Sequence, residues 1–293
     1  MTRQIAGRRP QTLVLDLLGA YVHGRRRSVW SGGLVALLGD LGFSAAASRI
    51  ALQRVAGRGL LARERSGRLV HLALTVRGER LLSDGDARIF TFGRAPAVAN
   101  DPWTVVWHQV PANHRLQRQR LAARLRFWGF GQVRDGLWLV PHDRAAHVMG
   151  AVQELGLGPR VTTVVGSPAC AIDPASAWDL PGLRDAYRRF AERTLAAGDP
   201  GELTDEAAFL ERTRLVHEFR RFPLLDPELP GQRGLERQRR EAADLFADRY
   251  ERLAVGASRH VDRRSTSPQY ALALTRAGSG PLVDSGREAE WRS

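Results

Sequence analysis

Three apolar stripes of helical period crowd into residues 10–58, separated by turns so short that the helices must pack on one another. Leu13, Val14, Leu17, Leu18 and Tyr21 fall at i, i+1, i+4, i+5 and i+8 and line one side of a helix over residues 10–23, which Pro10 can open. Gly24 to Ser28 reads as a basic turn. Leu34, Leu37, Leu38 and Leu41 repeat the pattern, with Ser31 as candidate cap and Gly42 as the stop. Ser44 caps a third helix predicted to run to about Arg58, and Gly42-Phe43-Ser44 is all that separates it from the second. Leu60–Glu64 and Leu69–Leu74 then pair as a hairpin around Ser66-Gly67, after which Thr75 caps a short helix, VRGERLL. Helix, helix, turn, helix, hairpin is the plan of a winged helix-turn-helix, here assigned to residues 1–82.

Charge singles out the same segment. The formal net charge is +13, and all 44 basic residues are arginine. Residues 1–80 hold 14 arginines against the acids Asp16, Asp40, Glu64 and Glu79, which is most of the excess. A basic module on a nearly neutral body fits a polyanion partner, because neutralised phosphates release counterions; the alternative is a solubilising surface. In the third helix Ala51, Leu52 and Val55 are expected to face the core, and Arg49 and Gln53, at i and i+4, to face outward together. Arginine can take a guanine edge and glutamine an adenine edge, or both can meet only phosphate and water. The candidate DNA-contacting set is Ser44, Arg49, Gln53 and Arg54 on this helix, with Arg63, Arg65 and Arg68 at the hairpin. A winged helix serving only as a protein-binding module is the competing reading.

The rest of the chain divides again. Residues 83–100 read as a linker interrupted by Ile89-Phe90. Residues 101–166 carry strand, helix, two strands about Asp135-Gly136, helix and strand, the βαββαβ order of a ferredoxin-like unit. Trp103, Trp107, Trp128 and Trp138 are expected in its core or at a dimer contact rather than in a base-stacking platform. After a second linker, helices are predicted over Leu183–Ala197, Asp205–Phe222 and Leu235–Leu253, giving a helical domain over residues 177–255. FPLLDPELP holds three prolines and is expected to form a non-helical turn. An ion-paired clasp of Arg220 and Arg221 with Asp226 and Glu228 would hold it in place. Residues 256–293 are polar and rich in Gly, Ser and Arg, and are expected to be disordered.

Several classes are set aside. Without lysine there is no P-loop, kinase-type or Schiff-base lysine. Cys170 alone builds neither a disulfide framework nor a cysteine-rich zinc site. No GxSxG, GxGxxG or HExxH stands in the chain; His217-Glu218 lacks the second histidine and reads as helix packing. No catalytic residue, metal or cofactor is expected, and the chain is not read as an enzyme. No apolar run reaches membrane-spanning length, the first residues lack the apolar stretch of a secretory signal, and the expected compartment is the cytoplasm.

Three blocks in order carry a family resemblance over roughly residues 11–255. They are LVLDLLGAYV, SRIALQRVAGRGLL (Ser48–Leu61) and LTVRGERLL; then WHQVPANHR and RLRFWGFGQVRDGLWLVPH (Arg124–His142); then AYRRF, LVHEFRRFPLLDPELP (Leu215–Pro230) and ADLFADRYERL. The chain resembles the PaaX-type repressors, regulators of phenylacetic-acid catabolism. The resemblance implies an α+β protein with winged-helix, ferredoxin-like and helical domains. It implies a homodimer on double-stranded DNA with an inverted-repeat operator, repressing an aromatic-acid operon and released by an aryl-CoA thioester such as phenylacetyl-CoA. Arg220 or Arg221 is a candidate for the effector's phosphates. The sequence departs from the family at Ser48, where an apolar residue is usual, at Ile50, where a small polar one is, and at Val70-His71, which replaces an aromatic pair. Ile50 then either meets a thymine methyl or only packs, and joins the candidate set. The middle domain is also similar to the small CRISPR-associated ferredoxin-like nuclease, which makes a metal-dependent nuclease the alternative function. That enzyme holds its metal with an aspartate at the end of the first strand, where this chain has Gln109, a poor ligand for a hard cation.

Overall fold

The computed structural model describes residues 10–25, 28–94, 102–167 and 173–266. Helix α1 (Pro10–Tyr21) buries Leu13, Val14, Leu17 and Leu18, as its apolar period requires. Leu34, Leu37 and Leu38 of α2 (Ser31–Asp40) and Ala51, Leu52 and Val55 of α3 (Ala45–Gly57) close the same cluster. Gly42 joins α2 to α3 at a φ of 92°, a left-handed conformation open to a residue without Cβ. Ser31 is the first helical residue of α2 rather than its cap, and Trp30, at the cap position, makes no side-chain bond there. The cause is a strand that the sequence reading missed. β1 (Val29–Trp30) delivers the chain to α2 already extended, paired with the second strand of the hairpin. The hairpin is β2 (Leu61–Ser66) and β3 (Leu69–Leu74), and the antiparallel sheet runs β1-β3-β2.

Helix α4 (Val76–Thr91) starts where predicted, with Gly78 N–H donating to Thr75 Oγ1 at 3.1 Å. It is twice as long as expected, so residues 83–91 of the anticipated linker are helical. Ile89 and Phe90 account for this. Both pack on the C-terminal core, where the Phe90 ring lies 5.8 Å from Phe246 and 5.3 Å from Tyr250. That burial outweighs the ~1 kcal/mol that Gly85 costs in a helix interior.

β4 (Trp103–His108), α5 (Arg115–Phe127), β5 (Gly131–Arg134), β6 (Leu137–Val140), α6 (Ala145–Glu154) and β7 (Val161–Gly166) follow the βαββαβ order. The sheet runs β5-β6-β4-β7, antiparallel throughout. Val106 and Trp138 on one face pack with Leu121, Leu125 and Val148 of the two helices. On the other face Trp107 is 51% and Val164 56% exposed.

The last unit comprises α7 (Leu180–Ala196), α8 (Asp205–Phe219), α9 (Phe222–Leu225), α10 (Arg233–Arg252) and α11 (Ala254–Ser265). Its core is aromatic: Phe219 stacks on Phe246 at 4.1 Å and Tyr187 on Phe222 at 4.2 Å. Three expectations are corrected here. The proline-rich stretch opens with a helical turn, α9, because Pro223 sits in its first turn, where a missing N–H breaks no helix bond. The clasp closes on other partners. Asp226 accepts Arg239 Nε and Nη2 at 2.8 Å each, the Tyr187 hydroxyl at 2.7 Å and the Glu228 N–H at 2.7 Å. Asp226 points inward beneath the turn, while Arg220 faces α1 instead. Finally, residues 256–265 are helical rather than disordered, since α11 buries Ala257, His260 and Val261 against α2 and α8. The approach is close: a Cβ on Gly33 of α2 would lie 2.6 Å from Ser265 Cα. Residues 267–293 and Cys170 lie outside the described residues. Among the described residues no helix is long and apolar enough to cross a membrane.

Candidate nucleic-acid interface

The face of α3 opposite its buried stripe is solvent-exposed and carries Arg49, Ile50, Gln53 and Arg54. Ser44 caps the helix, its Oγ accepting the Ala47 N–H at 3.2 Å. Ser48 fits the core because its hydroxyl is satisfied, donating to the Ser44 carbonyl at 2.9 Å. Ile50 is 48% exposed on the outward face, so it does not serve this chain's core.

The hairpin adds a second row. Its register puts Leu61, Arg63 and Arg65 on one face, opposite Leu74, Leu72 and Val70. Leu61 and Leu72 run from that face into the cluster around α3, so Arg63 and Arg65 leave the hairpin on the α3 side. Arg68 stands at the tip beside Gly67, whose φ is 60°. Arg49, Arg54, Arg63, Arg65 and Arg68 are all exposed, and none has an ion-pair partner among the described residues.

The acids of this module are drawn elsewhere. Asp16 is nearly buried and accepts from His217 Nδ1 at 2.8 Å and from Arg220. Asp40 meets His260 Nε2 at 2.8 Å and Arg264 Nη2 at 2.6 Å. Glu79 meets His23. Three of the four carboxylates that the sequence places in residues 1–80 therefore turn away from α3. Two of them tie α1 and α2 to the C-terminal helices, which leaves α3 and the hairpin free on the outside.

The two candidate effector arginines are separated. Arg220, at the end of α8, holds Asp16 and lines a cavity against α1 and α4. Arg221 is exposed and lines a different cleft with Trp178 and Gln132. In the middle unit Gln109 is exposed just beyond β4, its N–H bonded to the Arg160 carbonyl at 2.9 Å. His108 beside it is buried, and burial together with Arg118 lowers its pKa. Among the described residues no three His, Cys, Asp or Glu side chains gather as a metal site. Trp138 is in the core as expected, whereas Trp107 is exposed.

Comparison with known proteins covers the chain in three consecutive stretches. Residues 9–78 match the PaaX-like protein family, 96–177 the PaaX protein central Cas2-like domain, and 178–263 the PaaX-like protein C-terminal domain. The chain belongs to the PaaX family. It is 29% identical over 234 residues to the transcriptional repressor PaaX of Escherichia coli (strain K12), covering 75% of this chain and 72% of that one. That relative is a regulator, in keeping with the reading of this chain as a non-enzyme. A solved structure, the uncharacterized protein Rv0674 from Mycobacterium tuberculosis, aligns with 84% of this chain and 98% of its own, at 22% identity and a TM-score of 0.43. PaaX membership is carried by blocks in all three units, as the sequence reading expected.

Proposed function

We propose that this PaaX-family chain is a DNA-binding regulator of transcription. It acts as a homodimeric repressor of an aromatic-acid catabolic operon and is released by an aryl-CoA thioester. The observation that carries this reading is the exposed surface of arginines shared by α3 and the hairpin, which have no ion-pair partner among the described residues. Residues 10–74 work as a winged helix-turn-helix, with α3 in a major groove and the hairpin on the adjacent backbone. Arg49 takes a guanine edge, Gln53 an adenine edge and Ile50 a thymine methyl, while Arg54, Arg63, Arg65 and Arg68 neutralise phosphates. Ser44 holds the amino end of α3, whose free N–H groups favour a phosphate.

A second copy of the chain covers the open face of the middle sheet, where Trp107 and Val164 stand exposed, and the dimer spans two inverted half-sites. Arg221, exposed and without an ion-pair partner among the described residues, meets the effector's phosphates, whereas Arg220 would have to leave Asp16 to do so. With DNA and an acyl-CoA as ligands, the protein works in the cytoplasm.

The test is a mobility shift on the DNA upstream of its own operon, at several salt concentrations, with and without acyl-CoA thioesters. Retardation whose affinity falls steeply with salt, and which the thioester relieves, is the expected result. No retardation in dilute buffer refutes DNA binding, and metal-dependent cleavage of the probe would replace this reading by a nuclease.

A further inference from the structure

The middle unit carries a cleft of its own, away from α3, the hairpin and the tie between Asp16 and Arg220. Arg115, Arg118, Gln119, Ala122 and Arg126 fall at i, i+3, i+4, i+7 and i+11, so a single face of α5 forms one wall. Gln132 of β5 and Asp135 of the turn that follows line the opposite side, with the buried His108 and Trp138 at the base. The cleft encloses about 490 Å³, within the range of small-molecule sites. Arg115 and Arg126 stand about 16 Å apart along the helix axis, so the cleft is long rather than round.

Its positive charge is not cancelled. Asp135 is the one carboxylate among the lining residues, and Arg118 holds it at 2.5 Å. Arg115 and Arg126 are exposed and have no ion-pair partner among the described residues. The Arg126 guanidinium lies 5.1 Å over the Trp138 ring. A second observation comes from the base. Trp138 Nε1–H donates to His108 Nε2 at 3.4 Å. An indole N–H only donates, so the neutral His108 ring carries its proton on Nδ1. Burial and the neighbouring Arg118 lower the pKa of that ring and favour the neutral form. Nδ1 is nevertheless buried with no hydrogen-bond partner among the described residues. A buried donor without an acceptor is costly, and an oxygen brought to it recovers that cost.

We propose that this cleft binds a nucleoside diphosphate. The phosphates lie between Arg115 and Arg118, near His108, where two guanidinium forks and the unanswered N–H gather. The nucleoside runs along α5, within reach of the Gln119 and Gln132 amides, and its base stacks on the Arg126 guanidinium, on the side away from Trp138. The site is additional to the DNA-binding and effector roles proposed above and depends on neither.

The full chain is titrated calorimetrically with ADP, pyrophosphate and adenosine, and its melting and DNA retardation are recorded alongside. The expected result is that ADP binds, pyrophosphate binds more weakly and adenosine does not bind. Arg115→Ala and Gln119→Glu, both at exposed positions, should melt and retard DNA like the parent while binding ADP about tenfold more weakly. Arg120→Ala removes the same charge from α5 outside the cleft and should bind ADP as the parent does. Equal losses in Arg115→Ala and Arg120→Ala overturn the site, because diffuse charge then explains the binding. A loss in Arg221→Ala with Arg115→Ala unaffected overturns it in favour of the neighbouring cleft, which shares Gln132 and Arg126. Pyrophosphate or adenosine binding as tightly as ADP refutes the assignment of the two ends. A parent that binds neither ADP nor pyrophosphate refutes the site outright. A loss of DNA retardation in Arg115→Ala refutes it too, by making α5 a nucleic-acid contact.

Discussion

The surface of α3 with its hairpin and the interior of the C-terminal bundle are built from the same charged residue, used in opposite ways. Arg49, Arg54, Arg63, Arg65 and Arg68 stand in solvent without ion-pair partners among the described residues. Arg212, Arg239 and Arg249 are buried among polar or aromatic groups, with Arg212 Nη1 alone of their nitrogens buried without a hydrogen-bond partner among the described residues. Arg239 forks onto Asp226, Arg249 donates to Glu211 and to the Ala197 and Gly198 carbonyls, and Arg212 lies 3.7 Å over the Tyr250 ring with Nε on the Tyr250 carbonyl. Guanidinium is weakly hydrated and flat, so it serves inside a protein as a hydrogen-bonding strut where an ammonium would not. The comparison shows that arginine content alone does not mark a nucleic-acid surface. What sets α3 and the hairpin apart is where the acids go: Asp16 and Asp40 reach across to the C-terminal helices and Glu79 meets His23.

The largest effect is expected where a buried arginine loses its place opposite an acid. Arg239→Met leaves the Asp226 carboxylate buried with only the Tyr187 hydroxyl and the Glu228 N–H, and unfolding in urea is expected to show a loss of about 3–5 kcal/mol. Adding Asp226→Leu removes the orphaned charge and should return much of it. An unchanged midpoint in the single variant would make Arg239 as dispensable as a surface arginine. The exposed set behaves the other way. Arg49→Ala should leave stability within ~0.5 kcal/mol and weaken operator binding by about 1–3 kcal/mol with relaxed sequence preference. Equal weakening on all sequences would make Arg49 a phosphate contact. Arg65→Ala should lower the salt slope by about one without changing preference.

The same contrast explains what was legible in the sequence. The helices over residues 10–82 could be read because their information is local: apolar period, Ser44 and Thr75 as caps, and Gly42 as a stop. The outward direction of Arg49 and Gln53 follows from the same period. The bundle's interior could not be read. Asp226 is held by a residue thirteen positions on, across a turn, and Asp16 by one 204 positions away. No spacing rule selects which arginine meets which acid at such separations. The strand β1 is two residues long and shows no alternation. α11 reads as tail because its buried side amounts to Ala257, His260, Val261 and Ser265 in an otherwise polar stretch.

Smaller effects test the local rules on each side. Ser44→Ala removes the side-chain acceptor for the Ala47 N–H and should cost about 1 kcal/mol of stability. Thermal unfolding measures it, and an unchanged melting temperature would show that solvent serves that N–H equally well.

Asp86 on α4 gives the smallest effect and the one whose sign is most telling. Burial raises its carboxyl above the ordinary 3.8, and the charge of His23 opposes the shift. A carboxyl with a raised folded-state pKa disfavours folding once it ionises. The penalty is therefore present above the folded pKa and fades as pH falls below the unfolded value. Asp86→Asn keeps the shape and removes the charge, so it should be slightly more stable than the parent at pH 7 and indistinguishable from it at pH 3. The gain is small because the side chain is part-exposed and solvent screens it. If the variant is instead less stable at pH 7, the contact with His23 outweighs burial, and Asp86 joins Asp16 and Asp40 as an acid whose work is to hold a histidine in place.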